Sequence, residues 1–423
     1  MNKFWLKIRL IFADTTLRRR VLFTGLALIL FRFTAAIPIP GVNTNQLNNL
    51  LSGNQFLGLL NIFSGGGLSN LSIVMLGVGP FITASIIMQL LTIMFPSLKE
   101  MYQESGEAGR RKFTQYSRII TVPLAALQGL ALISLLTSQG VIGVLPLSQK
   151  IVNLVVVVAG AILLMWLGEL ISEFGIGNGT SLLIFAGIVS QIPSSVAQII
   201  ATFSASDIPI YLGFLVAAVI VVAGVVVVTE AERPIPVTYA KQVRGNKLYG
   251  GTSTYLPIRL NQAGVMPIIF ALSILLFPQM IANFFSTSSI AILSTVSSFM
   301  LTLLNNSWLY AIAYFLLVLM FTYFYSAITF DPEAISENLQ KSGAFIPGIR
   351  PGRPTNEHIS KIVTRLTLVG AVFLGVIAML PLAMRAVTGI TALAIGGTGL
   401  LIVVSTTLDL VKQINSQLTL REY

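Results

Sequence analysis

Apolar and polar residues alternate along the chain in long blocks. Ten apolar stretches, roughly 21–37, 73–95, 119–138, 151–171, 180–200, 210–228, 263–284, 308–330, 366–384 and 388–408, are separated by shorter connections. Each approaches the ~20 residues that a helix needs to cross ~30 Å of hydrocarbon, so the pattern predicts ten transmembrane helices. The first stretch follows Arg18, Arg19 and Arg20 without a small-residue cleavage pattern ahead of a soluble domain, and reads as a retained helix. Charge then orders the blocks: 23 of the 26 Lys and Arg fall in the N-terminus, the C-terminal tail and the even-numbered connections. The outward connections hold only Lys150, Asp207 and Arg385 as charged residues, and those at 38–72 and 285–307 hold none. This is the positive-inside asymmetry, and it predicts cytoplasmic termini. A missed or invented helix would swap the parity and scatter the basic loops over both faces, which does not happen.

Composition sharpens the picture. The chain has 423 residues, 55% hydrophobic and 10% charged, against about 25% charge in soluble globules, which makes it an integral membrane protein. No cysteine is present, so disulfides, thiolate metal sites and a cysteine nucleophile are excluded. The net charge of +11 is what membrane orientation alone would produce. Anionic lipid headgroups on the cytoplasmic leaflet are the default partners of such loops, and a basic surface can also dock an acidic macromolecule.

The first half, residues 1–208, holds five predicted spans, and the second, residues 209–423, holds five more. An odd number in each half makes the halves run in opposite directions, an inverted repeat, and sites in such folds tend to lie between the halves. Residues 57–72, LGLLNIFSGGGLSNLS, begin apolar but are interrupted by Gly65, Gly66 and Gly67 and are too short to cross. They either lie at the outer interface or dip back into the protein. If they dip, protein or a water-filled cavity must satisfy their backbone polar groups. Three cytoplasmic connections, 96–118, 229–262 and 331–365, each contain five Lys and Arg. Two readings stand for them, contact with partners or topology signals on solubilising loops.

The spans carry little chemistry. Arg32 lies toward the outer half of the first, where it can snorkel to the interface or meet polar groups. Glu169 and Glu173 share a helix face near the cytoplasmic end of the fourth; two readings stand, a carboxylate pair or, favoured, side chains facing water or a basic loop, and Asp409 reads the second way. The lone His358 has no second ligand at zinc spacing, and no G-x-x-x-x-G-K-[ST] phosphate loop occurs. GIGNG at 175–179 reads as a loop between helices. No metal site and no cofactor is expected. A proton-coupled transporter normally needs buried carboxylates or histidines, and energy for transport should come from outside the chain. What the spans do hold is branched aliphatic residues beside helix interruptions: LGVGPFITASI at 76–86, SLLIFAGIVSQIP at 181–193, AGVMPIIFA at 263–271 and GGTGLLIVV at 396–404. Close core packing explains them; so does a hydrophobic constriction that blocks ions by dewetting.

Seven stretches in order carry a resemblance: FRFTAAIPIPGV at 31–42, IFSGGGLSNLSI at 62–73, GPFITASIIMQLL at 79–91, ESGEAGRRKFTQYSR at 104–118, GIGNGTSLLIFAGIV at 175–189, YLPIRLNQAGVMPIIFA at 255–271 and FIPGIRPGRPT at 345–355. With them the chain closely resembles the SecY family, channel-forming subunits of the bacterial protein-translocation machinery, from about residue 15 to about 410. The resemblance implies an all-α membrane protein of two inverted five-helix halves around a gated pore. Its pore ring would fall on Val78, Ile82, Ile184, Ile188, Ile269 and Ile402, and residues 57–72, with Phe63, Ser64 and the three glycines, would be a short re-entrant plug helix. The triple glycine suits a mobile element. Gln89 and Asn261 would lie at a lateral gate, formed by spans two and three against seven and eight. Loops 229–262 and 331–365 would dock a ribosome or the motor ATPase SecA, Arg350 foremost, with Arg244, Lys247 and Arg259 in support.

The resemblance further implies SecE and SecG as partner subunits, signal-sequence-bearing polypeptides as substrates, and a place in the bacterial cytoplasmic membrane. Three departures stand out. Val78 replaces a common isoleucine, GNKLY at 245–249 has Asn where a second basic residue is frequent, and the tail after Asp409 is short. The expected function is a passive protein-conducting channel rather than an enzyme. A secondary transporter of small solutes is the alternative that ten spans and inverted halves would also suit, against the scarcity of intramembrane carboxylates. A membrane-embedded enzyme would need a buried dyad or metal cluster, and none is visible in the sequence.

Overall fold

A computed structural model of the chain describes residues 13–39, 47, 57–58, 60–61, 64–103, 105–143, 146–201, 208–239, 242–244, 247–249, 253–286, 291–388 and 391–419. Helices dominate, and the chain resolves into two compact units that interleave in sequence. The first comprises Met1–Leu215, Leu272–Tyr310 and Pro381–Tyr423; the second comprises Val216–Ala271 and Ala311–Leu380.

The first unit begins with α1 (Thr15–Ala35). Asp14 caps it, its Oδ1 accepting from the Thr16 and Leu17 amides at 2.8 and 3.3 Å, which satisfies donors a helix start leaves orphaned. Leu17, Thr24, Ala27, Phe31 and Thr34 turn inward at helical spacing while Leu22, Leu26, Ile29 and Phe33 stay exposed. A helix apolar on both faces belongs in lipid. After a run of turns over 64–78 come α2 (Gly79–Met94), α3 (Pro96–Gln103), α4 (Gly106–Ser138), α5 (Leu147–Phe174) and α6 (Gly179–Ala201). Helix α2 packs on α4, α4 on α5, α5 on α6, and α1 on both α5 and α6. The chain bends by 118° between α2 and α3. Helix α4 starts well before residue 119, so much of the 96–118 connection is helical extension.

The GIGNG stretch is a loop between helices, as expected. Thr24 Oγ1 accepts from the Ile176 amide at 3.2 Å, Ser172 Oγ accepts from the Gly179 amide at 2.9 Å, and Asn178 Oδ1 accepts from the Ser181 amide at 3.1 Å. Glu169 meets a basic partner: its Oε1 accepts from Arg118 Nε at 2.8 Å, joining α4 to α5, while Glu173 is exposed.

From α7 (Ile208–Glu230) the chain enters the second unit and forms β1 (Glu232–Tyr239), β2 (Gln242–Arg244), β3 (Lys247–Tyr249) and β4 (Ser253–Arg259). It continues through α8 (Met266–Ser286), α9 (Ala291–Asn305), α10 (Ser307–Thr329), α11 (Pro332–Lys341), β5 (Ala344–Phe345), α12 (Arg353–Thr388) and α13 (Thr391–Thr419). The middle of α8 onward, with α9 and α13, belongs to the first unit again, where α13 packs against α6. Helix α9 stands where the sequence suggests only a connection; its 15 residues are too few to cross a bilayer.

By length and apolar composition, five helices among the described residues could cross a membrane, or six if the bent α2–α3 pair counts as one span. The strands are the larger difference from the sequence reading, which placed long loops at 229–262 and 331–365. Antiparallel β4-β1-β5 form one sheet, with Ile235 opposite Leu256 and Thr238 opposite Phe345, and β2 and β3 pair by themselves. Ile235, Val237, Ile258, Ala344, Ile346, Ile359, Ile362 and Val363 bury a common apolar core beneath it. Both loops thus fold into one small body with its own hydrophobic interior.

Candidate functional site

The turns over 64–78 are irregular backbone, and they are buried: Leu68, Leu71, Ser72, Val74 and Met75 are each 0% exposed. Buried irregular backbone must bond somewhere, and here it bonds largely to itself. The Gly66, Gly67 and Ser72 amides donate to the carbonyls of Asn61, Ser64 and Gly67 at 2.9, 3.2 and 2.8 Å. Ser64 Oγ accepts from the Leu68 amide at 3.0 Å, Asn61 Oδ1 accepts from the Ser69 amide at 2.9 Å, and Ser69 Oγ donates to the Gly66 carbonyl at 2.6 Å. A clasp to the chain after α1 closes the segment: the Ile39 amide donates to the Leu71 carbonyl at 2.8 Å and the Ile73 amide to the Ile37 carbonyl at 3.0 Å.

The three glycines are needed for fit. Gly65 and Gly66 have φ of +65° and +82°, a region where a side chain is strained. A Cβ on Gly67 would stand 2.9 Å from Ser72 Oγ and 3.0 Å from the Val74 carbonyl oxygen. Leu71 adopts φ of +41° without that freedom, a local strain of about 1–3 kcal/mol held by the clasp. Neighbouring helices close over the turn. A Cβ on Gly65 would collide with the Phe31 ring of α1, one on Gly187 of α6 would fall on Gly65 Cα, and Arg32 Nη1 donates to the Gly65 carbonyl at 2.9 Å. Phe63 lies outside the described residues.

The branched aliphatic candidates begin where this segment ends. Val78 precedes α2 and Ile82 is one turn in, its amide bonded to the Val78 carbonyl at 3.1 Å. Val78, Ile82, Ile184 and Ile402 are buried, at 2%, 4%, 1% and 0% exposed, and Ile188 is half-buried. Ile184 and Ile188 share one face of α6. Ile188 touches α13, where a Cβ on Gly399 would lie 2.9 Å from its Cγ2, one turn before Ile402. Ile269, also buried, lies in the second unit. Gly187 stands between the two α6 positions, so the glycine turn docks on the same helix that carries them.

Gln89 is half-buried on α2, and Asn261 is buried in the second unit. Asn261 Nδ2 donates to the Gly264 carbonyl at 3.0 Å. Gln89 Oε1 and Asn261 Oδ1 are each buried without a hydrogen-bond partner among the described residues. An unmet buried acceptor costs about 1–3 kcal/mol.

Two of the basic positions are displayed rather than buried. Arg350 and Arg259 are exposed in the second unit, Arg259 at the end of β4 opposite Glu232. Arg244 and Lys247 fall on β2 and β3. The Arg350 turn is fixed from both sides: Thr355 Oγ1 donates to the Arg350 carbonyl and Ser336 Oγ of α11 to the Gly352 carbonyl, each at 2.8 Å. Among the described residues no group of His, Cys, Asp or Glu is placed to hold a metal ion. Sequence reasoning missed the Gly65–Gly187 contact, the Arg32 bond and the folded core under the two basic loops. Of these only the core left a signal, the alternation of Ile235 with Val237 and of Leu256 with Ile258.

Comparison with known proteins adds an independent line. A family model described as SecY matches residues 72–411. The chain is 43% identical over 427 residues to a protein translocase subunit SecY of Mycobacterium bovis, the alignment covering 96% of each. A solved structure reported under the statement that the plug domain of the SecY protein stabilizes the closed state of the translocation channel and maintains a membrane seal is similar with TM-score 0.63. It is 19% identical, covering 96% of this chain and 93% of that one. Sec61 in the canine ribosome-channel complex from the endoplasmic reticulum is similar with TM-score 0.60 at 19% identity, again covering 96% and 93%.

Proposed function

The chain belongs to the SecY family, and we propose that it moves unfolded secretory polypeptides across the bacterial cytoplasmic membrane and releases apolar segments sideways into lipid. It is a protein-conducting channel and a multi-pass membrane protein, a subunit of a translocase and not an enzyme. Its ten spans form two inverted halves, 1–208 and 209–423, with both termini in the cytoplasm. Val78, Ile82, Ile184, Ile188, Ile269 and Ile402 form the constriction, and residues 57–72 are the plug that fills it at rest.

The observation that carries this reading, beyond family membership, is the burial of a self-bonded glycine turn against the helix that bears Ile184 and Ile188. A greasy constriction of branched side chains excludes ions by dewetting yet deforms around an extended peptide. Gln89 and Asn261 are the lateral-gate polar residues, and an arriving signal sequence replaces polar contacts at the closed gate by apolar ones. Opening is then a population shift whose size equals the substrate's differential affinity for the open state.

The small sheeted body of the second unit is the docking surface for a ribosome or SecA, with Arg350, Arg259, Arg244 and Lys247 as its contacts. Guanidinium groups suit both RNA phosphates and acidic protein patches. SecE and SecG complete the assembly, and energy comes from SecA, ribosomal elongation or the membrane potential.

A single cysteine introduced as Ile188→Cys, with Ser148→Cys as a remote control on the exposed first turn of α5, tests the path in a chain that has no other thiol. A stalled secretory chain should crosslink to the Ile188→Cys variant in a signal-dependent way and not to the Ser148→Cys variant. No adduct with Ile188→Cys while the chain is demonstrably engaged would overturn the pore assignment.

A further inference from the structure

We propose that Arg32 and Gly187 form a two-helix seat that locks the glycine turn in the resting channel, with Arg32 as a positioning residue that sets how readily a substrate opens it. This rests on the reading of residues 57–72 as the plug.

Groups from both helices converge on Gly65 and Gly66. Arg32 Nη1 of α1 donates to the Gly65 carbonyl at 2.9 Å. Gly187 of α6 presents bare backbone to Gly65, so close that any side chain there would fall on the Gly65 Cα. One residue on, a Cβ at Gly66 would stand 3.4 Å from Gln191 Nε2 and 3.6 Å from Arg32 Nη1. Phe31 and Arg32 thus supply one wall of the seat, and Gly187 and Gln191, four apart on one helix face, supply the other.

The simpler account of Arg32 is that a cation in the last turn of α1 complements the helix dipole and snorkels to the interface. That account needs no contact with Gly65 and predicts no effect of Arg32 on the turn. The seat explains the contact. A charge-assisted hydrogen bond is roughly twice as strong as a neutral one, and it is spent on a carbonyl to which no described backbone amide donates. The notch at Gly187 contributes shape instead, admitting the turn between Ile184 and Ile188. Lifting the turn breaks both at once, so leaving the seat is coupled to the helix that carries the constriction.

The reporter is Ser72→Cys in the reconstituted translocase. Ser72 is 0% exposed, lies under Gly67, and its Oγ has no hydrogen-bond partner among the described residues, so a thiol there loses no bond. Labelling by a membrane-impermeant maleimide is followed with and without a signal-bearing chain, alongside resting ion leak. Arg32→Met should raise resting labelling and leak about tenfold, Arg32→Lys should recover part of the protection, and Gly187→Ala should raise both on its own.

If an engaged signal-bearing chain fails to speed labelling of the reporter thiol in the otherwise unaltered protein, the plug reading fails and the seat with it. If the engaged chain does expose that thiol, yet Arg32→Met and Gly187→Ala leave resting labelling unchanged, the plug stands and the seat is overturned. Equal labelling of Arg32→Lys and Arg32→Met would remove the hydrogen bond as the cause. Should Arg32→Met not assemble, Gly187→Ala decides alone on the same criterion.

Discussion

The buried glycine turn of the first unit and the sheeted body of the second both interrupt runs of membrane helices, and they are held together by opposite means. Residues 64–78 carry no charge and make their structure from backbone hydrogen bonds, positive φ and the absence of side chains. The body built from 229–262 and 331–365 buries a conventional core of Ile, Val and Ala and exposes Arg233, Arg259, Lys341, Arg350 and Arg353. A turn of the first kind is specific but shallow in energy, because each hydrogen bond contributes only about 0.5–1.5 kcal/mol net. The second kind gains roughly 1.5–3 kcal/mol for each large aliphatic side chain buried. On the proposed function the difference suits their tasks: one segment would leave its place during each transport event, and the other would hold Arg350 still while a large partner pushes on it.

The comparison breaks most directly at Ile258, which is 0% exposed at the centre of the sheeted core. Ile258→Ala should cost about 2–5 kcal/mol locally, opening both basic loops to limited proteolysis and weakening partner binding. The resting seal should not change. An ion leak comparable to that of the glycine-turn variants would show that the two regions do not act separately.

Gly67→Ala should come next. Its methyl would press on Ser72 Oγ and on two carbonyl oxygens between 2.9 and 3.1 Å away, an overpacking of about 1–3 kcal/mol. The expected result is a leaking resting channel whose two basic loops stay as resistant to protease as before. Ile402→Asn should likewise raise leak and loosen selection for signal sequences, because a polar group wets the constriction. A sealed membrane with normal signal discrimination would count against Ile402 as a ring residue.

How much of this contrast is legible in the sequence follows from the same physics. Membrane helices announce themselves through long apolar blocks. The glycine turn is visible as an interruption, but Gly187, which receives it, lies far along the chain in an apolar stretch where a glycine reads as ordinary helix packing. Arg32 likewise reads as a snorkelling cation until its acceptor is seen. The sheet is obscured for another reason. β1 contains Pro234 and Pro236 and β4 contains Pro257, and proline argues against a strand because it cannot donate to the ladder. Pro234 sits opposite Pro257, which pairs two residues that have no amide hydrogen to offer. Helix α9 was hidden by its Ser, Thr and Asn content within a connection free of charge.

The remaining contrast lies within the second body, between Arg353, which pairs with a carboxylate on its own helix, and Arg350, whose turn is fixed through backbone carbonyls. Arg353 and Glu357 form an exposed i,i+4 pair at 3.5 Å, and such pairs contribute about 0.3–0.5 kcal/mol. Glu357→Gln should therefore leave both stability and binding nearly unchanged. Arg350→Ala should also leave stability within about 0.5 kcal/mol, because the turn is fixed through the Arg350 carbonyl and the Gly352 carbonyl rather than through the guanidinium. Binding of SecA or a ribosome should nonetheless fall sharply, and Arg350→Lys should restore it poorly, since a lysine ammonium cannot reproduce the planar two-pronged contact. Measuring protease resistance of the loops and partner affinity on the same variants separates the roles. Arg350→Ala that unfolds the loops would make the residue structural, and Arg350→Ala that binds normally would remove it from the docking surface.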